Sequence, residues 1–294
     1  MLDLQSPEAL KLSIAVEDLL VARNLRGMKT IQPALKPGYY ARAAYLLSKT
    51  TGTILIGTGF PVIDTFETDG PVGAIVLYNM LEARGNKPVL VCGAPLSDKL
   101  VNDFRVEVLP IGLDTSTIND VQASLKRLQP ELIISIERPG KAVDGCYYNM
   151  CGEDISKRTA CFDDFLKHAN CPTIAIGDGG NEIGMGNVSQ ALQQLNIVPA
   201  ATTCDELLIA DVSNWGALGL ITMLSWHETK DALKYIDTMA ILKYLSCLGS
   251  VDGVTRKNEL TEDGLPASEG IALIDQLQEL ISRDSSSSQS PELI

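Results

Sequence analysis

The sequence is short of histidine, of basic residues and of long apolar runs, and each shortage removes a class of function. Two histidines, His168 and His227, are present in 294 residues. That withdraws support from Ser-His-Asp catalysis, His-rich zinc sites and haem ligation. His168 lies in the helical-looking run FLKHANCP and His227 follows an apolar stretch, so both read as helix-end or surface residues. Lys and Arg number 24 against 37 Asp and Glu, a formal charge of -13. Such a chain has no field to attract a nucleic-acid backbone or an anionic membrane. The seven cysteines form no C-x-x-C pair, and an odd, scattered set reads as free thiols in a reducing compartment. The N-terminal stretch carries Asp3, Glu8, Glu17 and Asp18, unlike a secretory or mitochondrial leader. The apolar stretch around Ala217 to Trp226 is flanked by Asp211, Asn214, His227 and Glu228, well short of the roughly 20 clean residues a bilayer needs. The expectation is a soluble, cytoplasmic protein.

What is present is enough apolar residue, 45%, for a sizeable core. Six short apolar runs read as buried strands: Thr53 to Ile56, Val89 to Cys92, Val106 to Pro110, Leu132 to Ile136, Thr173 to Ile176 and Leu207 to Ala210. They do not alternate with polar residues, as expected of strands covered on both faces. Helical spacing separates them. Ser6-Pro7-Glu8 opens one helix, and Asp69-Gly70-Pro71 opens another with Ala74, Ile75, Tyr78 and Leu81 on one face. After the last strand, helices are expected from Trp215 to Trp226, Asp231 to Leu248 and Ser268 to Ile281. Strands alternating with helices predict an α/β fold: a three-layer, mostly parallel Rossmann-like sheet with helices on both faces and a helical C-terminal elaboration. A single domain is expected over 1–284, with a helical lead-in at 1–50 and the core and elaboration at 51–284. A Ser-rich, frayed tail follows at 285–294. The apolar helices after Trp215 offer a face for a homo-oligomer.

In a parallel sheet, ligands gather outside the carboxyl ends of the strands. Four strands are followed there by polar, glycine-rich loops: GTGFPVIDTFETDGP (57–71), ERPGKAVDGCYYNMCG (137–152), GDGGNEIGMG (177–186) and DVSNWG (211–216). The topology gathers Glu67, Asp69, Glu137, Asp144, Asp178, Glu182 and Asp211 on one edge. Ionised carboxylates about 4 Å apart repel by roughly 4 kcal/mol at an effective dielectric of 20, so either some are protonated or a cation joins them. Oxygen ligands without His or Cys select Mg²⁺, Mn²⁺ or Ca²⁺. Simpler readings stand beside this one: Asp69 as a helix cap, Asp178 and Asn181 as turn residues, Tyr147 and Tyr148 as core or rim aromatics, Trp215 as a packing anchor. The nucleotide fingerprints fail, with Glu182 and Val62 where G-x-G-x-x-G needs glycine and Met185 where a phosphate loop needs lysine. A nest of amides at Gly177 to Gly180 remains suited to an anion.

Taken together, ETDGP (67–71), ERPGKAVDGCYYNM (137–150), GDGGNEIGMG (177–186), SNWG (213–216), VDGVT (251–255) and DGLP (263–266) resemble the C-terminal domain of the D-glutamate cyclase family. The resemblance runs from about the first strand to Pro266. It implies a metal-dependent hydro-lyase that converts D-glutamate to 5-oxo-D-proline and water, with Mn²⁺ or Mg²⁺ as the ion. On that basis Asp69, Asp144, Asp178 and Glu182 are the expected metal ligands. Glu137 is the expected acid or base, Arg138 a fork for the α-carboxylate, and Asn181 a third catalytic residue. Thr58, Gly59, Tyr148, Asn149, Gly179, Gly180 and Asn214 are expected to line a small anionic substrate. Asp64 falls in the variable part of the resembling region and takes no role. Two other readings use the same crevice. One is a Mn²⁺- or Mg²⁺-dependent phosphohydrolase balanced by Arg138 or Lys141; the other is a metal- or ligand-binding module without catalysis.

Overall fold

The apolar runs form six strands in the computed structural model, which describes residues 1–113 and 115–287. They are β1 (Thr53–Thr58), β2 (Lys87–Gly93), β3 (Val106–Leu109), β4 (Pro130–Ile136), β5 (Thr173–Gly177) and β6 (Glu206–Ile209). They hydrogen-bond into one sheet in the order β3-β2-β1-β4-β5-β6, and every neighbouring pair is parallel. Residues such as Ile54, Leu55, Ile133 and Ile134 are fully buried, because helices cover both faces.

The main helices in chain order are α1 (Pro7–Leu20), α2 (Tyr39–Lys49), α3 (Pro71–Arg84), α4 (Ile118–Leu128), α5 (Asp163–His168), α6 (Ser213–Glu228), α7 (Thr238–Cys247) and α8 (Ala267–Ser287). Ser6 accepts the Ala9 amide at 3.1 Å and Pro7 opens α1, as the sequence predicts. The apolar α6 lies at the centre of one layer, against α1, α2, α3 and α8, while α4 packs with α5 on the opposite face. Every residue of α6 from Ser213 to Trp226 is buried within the chain itself. Of the apolar helices after Trp215, α6 is thus covered by the chain's own helices. Trp215 is buried, with the Arg23 guanidinium 5.2 Å from its ring centre. The helix expected over Asp231 to Leu248 is divided: a 3₁₀ turn at Leu233–Tyr235 precedes Asp237, whose carboxylate caps α7 by accepting the Ala240 amide. Helix α8 continues to Ser287, into the stretch expected to fray; residues 288–294 of the expected tail lie outside the described residues.

The strand order positions the site. The chain works outward from β1 to β3, then returns to lay β4 on the other side of β1. Helix α3 after β1 and helix α5 after β4 lie on opposite faces, so the chain segments leaving these neighbouring strands, which stay paired through Thr58 and Ile136, diverge and leave a crevice.

Candidate functional site

Three carboxylates meet in that crevice. Asp69 precedes α3, Glu137 directly follows β4 and Asp178 directly follows β5. One oxygen from each can be chosen so that all three lie within 4.8 Å of one another. All are buried: Asp178 has no exposed area, Asp69 1% and Glu137 5%.

The first turns of α3 and α6 hold the group in place by capping one another. Asp69 Oδ1 accepts the Asn214 amide at 2.7 Å, and its Oδ2 accepts the Ser213 amide at 2.9 Å. In return, Asn214 Oδ1 accepts the amides of Gly70 at 2.8 Å and Gly73 at 2.7 Å. Asp69 is thus a helix cap, as one reading of the sequence held, but for the helix that begins 144 residues later. Both helices point their positive ends at the acids, where negative charge is most favourable. The Ser213 amide also reaches Asp178 Oδ2 at 3.1 Å, and the Ser213 hydroxyl donates to Glu137 Oε2 at 2.6 Å.

Backbone conformation completes the arrangement. Glu137 adopts φ 45°, a left-handed conformation that costs a non-glycine residue roughly 1–2 kcal/mol and concentrates at functional sites. Gly70 has φ 87°, and a Cβ there would lie 2.7 Å from Glu137 Cβ and 3.1 Å from the Ile136 carbonyl. Only glycine lets the two loops approach so closely.

Around the trio lie Glu67, Glu182 and Asp263, all buried, and a single guanidinium, that of Arg26. Its Nη1 donates at 2.6 Å to both Asp178 Oδ1 and Asp263 Oδ2. Burial pushes Glu67, Asp69, Glu137 and Asp178 well above the usual carboxylate range, and their mutual repulsion adds to it. Glu182 is also raised by burial. Asp263 alone goes down, because Arg26 and hydrogen bonds from Asp178 and Asp69 outweigh its burial. One cation therefore keeps one acid ionised, and the others need protons or a further positive charge. An oxygen-only donor set with an excess of negative charge fits a hard divalent cation, so Asp69, Glu137 and Asp178 form a buried acidic trio able to bind a metal ion.

The other residues expected at the site are distributed differently. Glu182 Oε1 and Oε2 accept the amides of Gly179 at 2.8 Å and Gly180 at 2.7 Å, so the glycine nest expected to bind an anion already holds the chain's own carboxylate. Asp144 is exposed and outside the buried group; it accepts the Cys146 amide and the Tyr148 hydroxyl, closing its own loop. Asp211 is buried but turned to the lead-in, where it accepts the amides of Arg23 and Leu25. Arg138 is buried with Nη1 on the carbonyls of Thr58 and Gly59 and Nη2 on that of Ala160, a clamp between loops rather than a fork facing a ligand. Asn149 stays within its loop, bonding Cys151 and Glu153, and Tyr147 bonds Asp163. Thr58 sits against Gly70 and Glu137, its hydroxyl buried without a partner, and Asn181 donates to the Tyr148 carbonyl while its Oδ1 has none. Arg26, Ser213 and Asp263 were missed. Asp263 and Ser213 stand inside quoted motifs, whereas nothing in the sequence around Arg26 marks it.

Two cavities test where a ligand could sit. The one beside Thr58, Gly59 and Arg138 measures about 20 Å³, room for one water. A groove of about 790 Å³ lies at the opposite ends of α3 and α6, lined by residues such as Ala83, Arg84, Leu224 and Glu228, and contains none of the clustered acids. The phosphohydrolase alternative loses its cations, since Arg138 is engaged by carbonyls and Lys141 pairs with Asp164 at 3.3 Å.

Comparison with known proteins points the same way, to cyclases rather than phosphatases. Over 199 residues the chain is 32% identical to the Homo sapiens protein named "D-glutamate cyclase, mitochondrial". That alignment covers 58% of this chain and 32% of the human one, so the chain spans about a third of the length of its curated relative. Residues 16–278, most of the sequence, match the family described as D-glutamate cyclase-like, C-terminal, and the chain belongs to that family.

Proposed function

We propose that the protein is a metal-dependent hydro-lyase that closes D-glutamate to 5-oxo-D-proline with loss of water. The observation that carries this reading is the buried trio of Asp69, Glu137 and Asp178 at the sheet's switch point, in a chain of this family. The reaction is intramolecular, so folding the substrate against a fixed frame already supplies much of the catalysis. Asp69 and Asp178 would hold the ion, Mn²⁺ or Mg²⁺. When bound, it would polarise the γ-carboxylate, otherwise a poor electrophile. Glu137, whose Oε2 accepts the Ser213 hydroxyl, relays in turn the two protons that the ammonium loses on becoming the lactam N–H to the γ-carboxylate oxygen, which leaves as water. Burial and the neighbouring acids raise its carboxyl above the usual carboxylate range, and Ser213 fixes its orientation. Thr58 and Asn181, each with a buried oxygen that has no partner, are the side chains we assign to orient the substrate.

The partner in this reading is a small anionic metabolite; the charge of -13 argues against nucleic acid and anionic membranes. No helix among the described residues is long and apolar enough to cross a membrane. All seven cysteines are free, which supports a reducing compartment, and we read it as the cytoplasm although the human relative is named mitochondrial.

The test is interconversion of D-glutamate and 5-oxo-D-proline by chelator-stripped protein resupplied with Mn²⁺ or Mg²⁺, read by chiral chromatography. E137Q is expected to abolish turnover while holding Mn²⁺ affinity within about threefold, as a proton carrier outside the ligand set would. Loss of Mn²⁺ binding in E137Q would move Glu137 among the ligands. Mn²⁺ binding by the wild type without interconversion would leave a binding module.

A further inference from the structure

A glutamate-like substrate brings a second carboxylate into a crevice already rich in acids, and the reaction proposed above does not say what receives it. Arg138 is turned to backbone carbonyls, Lys141 pairs with Asp164, Arg158 with Glu153 and Arg23 with Glu269. Arg26 differs from all of these. Its two hydrogen bonds both leave from Nη1, to Asp178 and Asp263, and Nη2 and Nε have no partner among the described residues. Its side chain is 19% exposed while those of Asp178 and Asp263 are 0% and 3%, so Arg26 lies between the buried acids and the surface.

We infer that Arg26 recognises the α-carboxylate of the substrate through its Nε and Nη2 edge while Nη1 stays bound to Asp178 and Asp263. That edge presents two parallel N–H groups, the geometry that pairs with a carboxylate in a bidentate fork. Because the same guanidinium touches Asp178, a carboxylate held there lies one residue from the acidic trio, and the far end of a glutamate can fold back onto it. The loop that carries Arg26 is moored for this task. Asp211 accepts the amides of Arg23 and Leu25, and its own amide donates to the Leu20 carbonyl. Gly27 then turns the chain with φ 88°. Asp211 thus acts as a positioning residue for Arg26, a use of its place after β6 that keeps it out of the acid cluster itself.

This assignment rests on the proposed reaction, and the experiment separates the two. Calorimetry measures binding of 5-oxo-D-proline and of 2-pyrrolidinone, the same ring without the carboxylate, to Mn²⁺-loaded wild type, R26K and D211A. The wild type is expected to prefer the acid. R26K keeps the charge but loses the fork, and should bind the acid about 10- to 100-fold more weakly, the range for a charged hydrogen-bonded pair, with the lactam within about twofold. D211A leaves Arg26 and all six acids in place and should weaken the acid several-fold, again sparing the lactam. An acid preference unchanged in both variants overturns the role of Arg26 and leaves the proposed reaction standing. A wild type that does not prefer the acid overturns both.

Discussion

At Glu137 the chain accepts a left-handed conformation and a carboxyl raised by burial and by four neighbouring acids, two costs at one residue. Neither improves the fold, and both are what the proposed proton-carrying role of Glu137 would account for. The consequence is testable without substrate. Gln at this position keeps an acceptor for Ser213 and removes a charge, so metal-free E137Q should be more stable than metal-free wild type at pH 8. The direction follows because burial and the neighbouring acids disfavour the charged form that Gln cannot take. Urea unfolding measures it, and a variant less stable than wild type would show that the carboxylate is well compensated even without metal.

The elements that matter most are α3 and α6, whose first turns cap each other across the site. Asn214 is the pivot, accepting two amides of α3 and donating to Glu262 Oε1 at 2.8 Å. N214A takes the side-chain acceptor from the Gly73 amide and the donor from the Glu262 carboxyl, while the Gly70 amide keeps Asp69 Oδ1 at 2.9 Å, and should cost about 2–4 kcal/mol. N214D restores the acceptor but adds a charge between Asp69 and Glu262, so it should recover little of that loss. Equilibrium unfolding of both variants decides the point. A full recovery by N214D would mean that capping alone is at stake.

For the molecule as a whole, a set of buried acids met by one half-buried guanidinium, that of Arg26, makes stability depend on pH and on metal. Glu262 rises from the usual 4.5 to about 7, through burial first, and Glu67, Asp69, Glu137 and Asp178 are raised in the same direction. A raised acid binds more protons folded than unfolded, so stability falls as pH rises from the unfolded value through the folded one. Metal-free protein should therefore melt higher at pH 5 than at pH 8, with part of the loss falling between pH 4.5 and about 7. Mn²⁺ at 100 times its pH 8 Kd should add about 2.7 kcal/mol at pH 8. Because the ion competes with protons for the acids, the same Mn²⁺ concentration should add less at pH 5. Melting curves with and without Mn²⁺ test this, and equal increments at both pH values would place the ion elsewhere.

Much of this could be read before any coordinates. The six strands were legible because a strand covered on both faces must be apolar without alternation, and Leu132 to Ile136 or Thr173 to Ile176 can be little else. Asp69, Glu137 and Asp178 were legible because acids just beyond parallel strands fall on one edge of the sheet. Which loop acids are buried was not. Asp144 and Asp178 both follow a strand in a glycine-rich segment, yet one is exposed on its own turn and the other has no exposed area. Arg138 follows Glu137 in sequence but points elsewhere, while Arg26 reaches Asp178 from 152 residues away because α1 packs on α6 and Asp211 anchors the loop between. The sequence by itself determined the sheet, its helical layers and the edge on which the acids gather, because these follow from local apolar pattern and chain direction. Only the tertiary structure decided which carboxylates converge and which cation meets them, because burial and long-range contact are properties of neighbours that spacing along the chain does not carry.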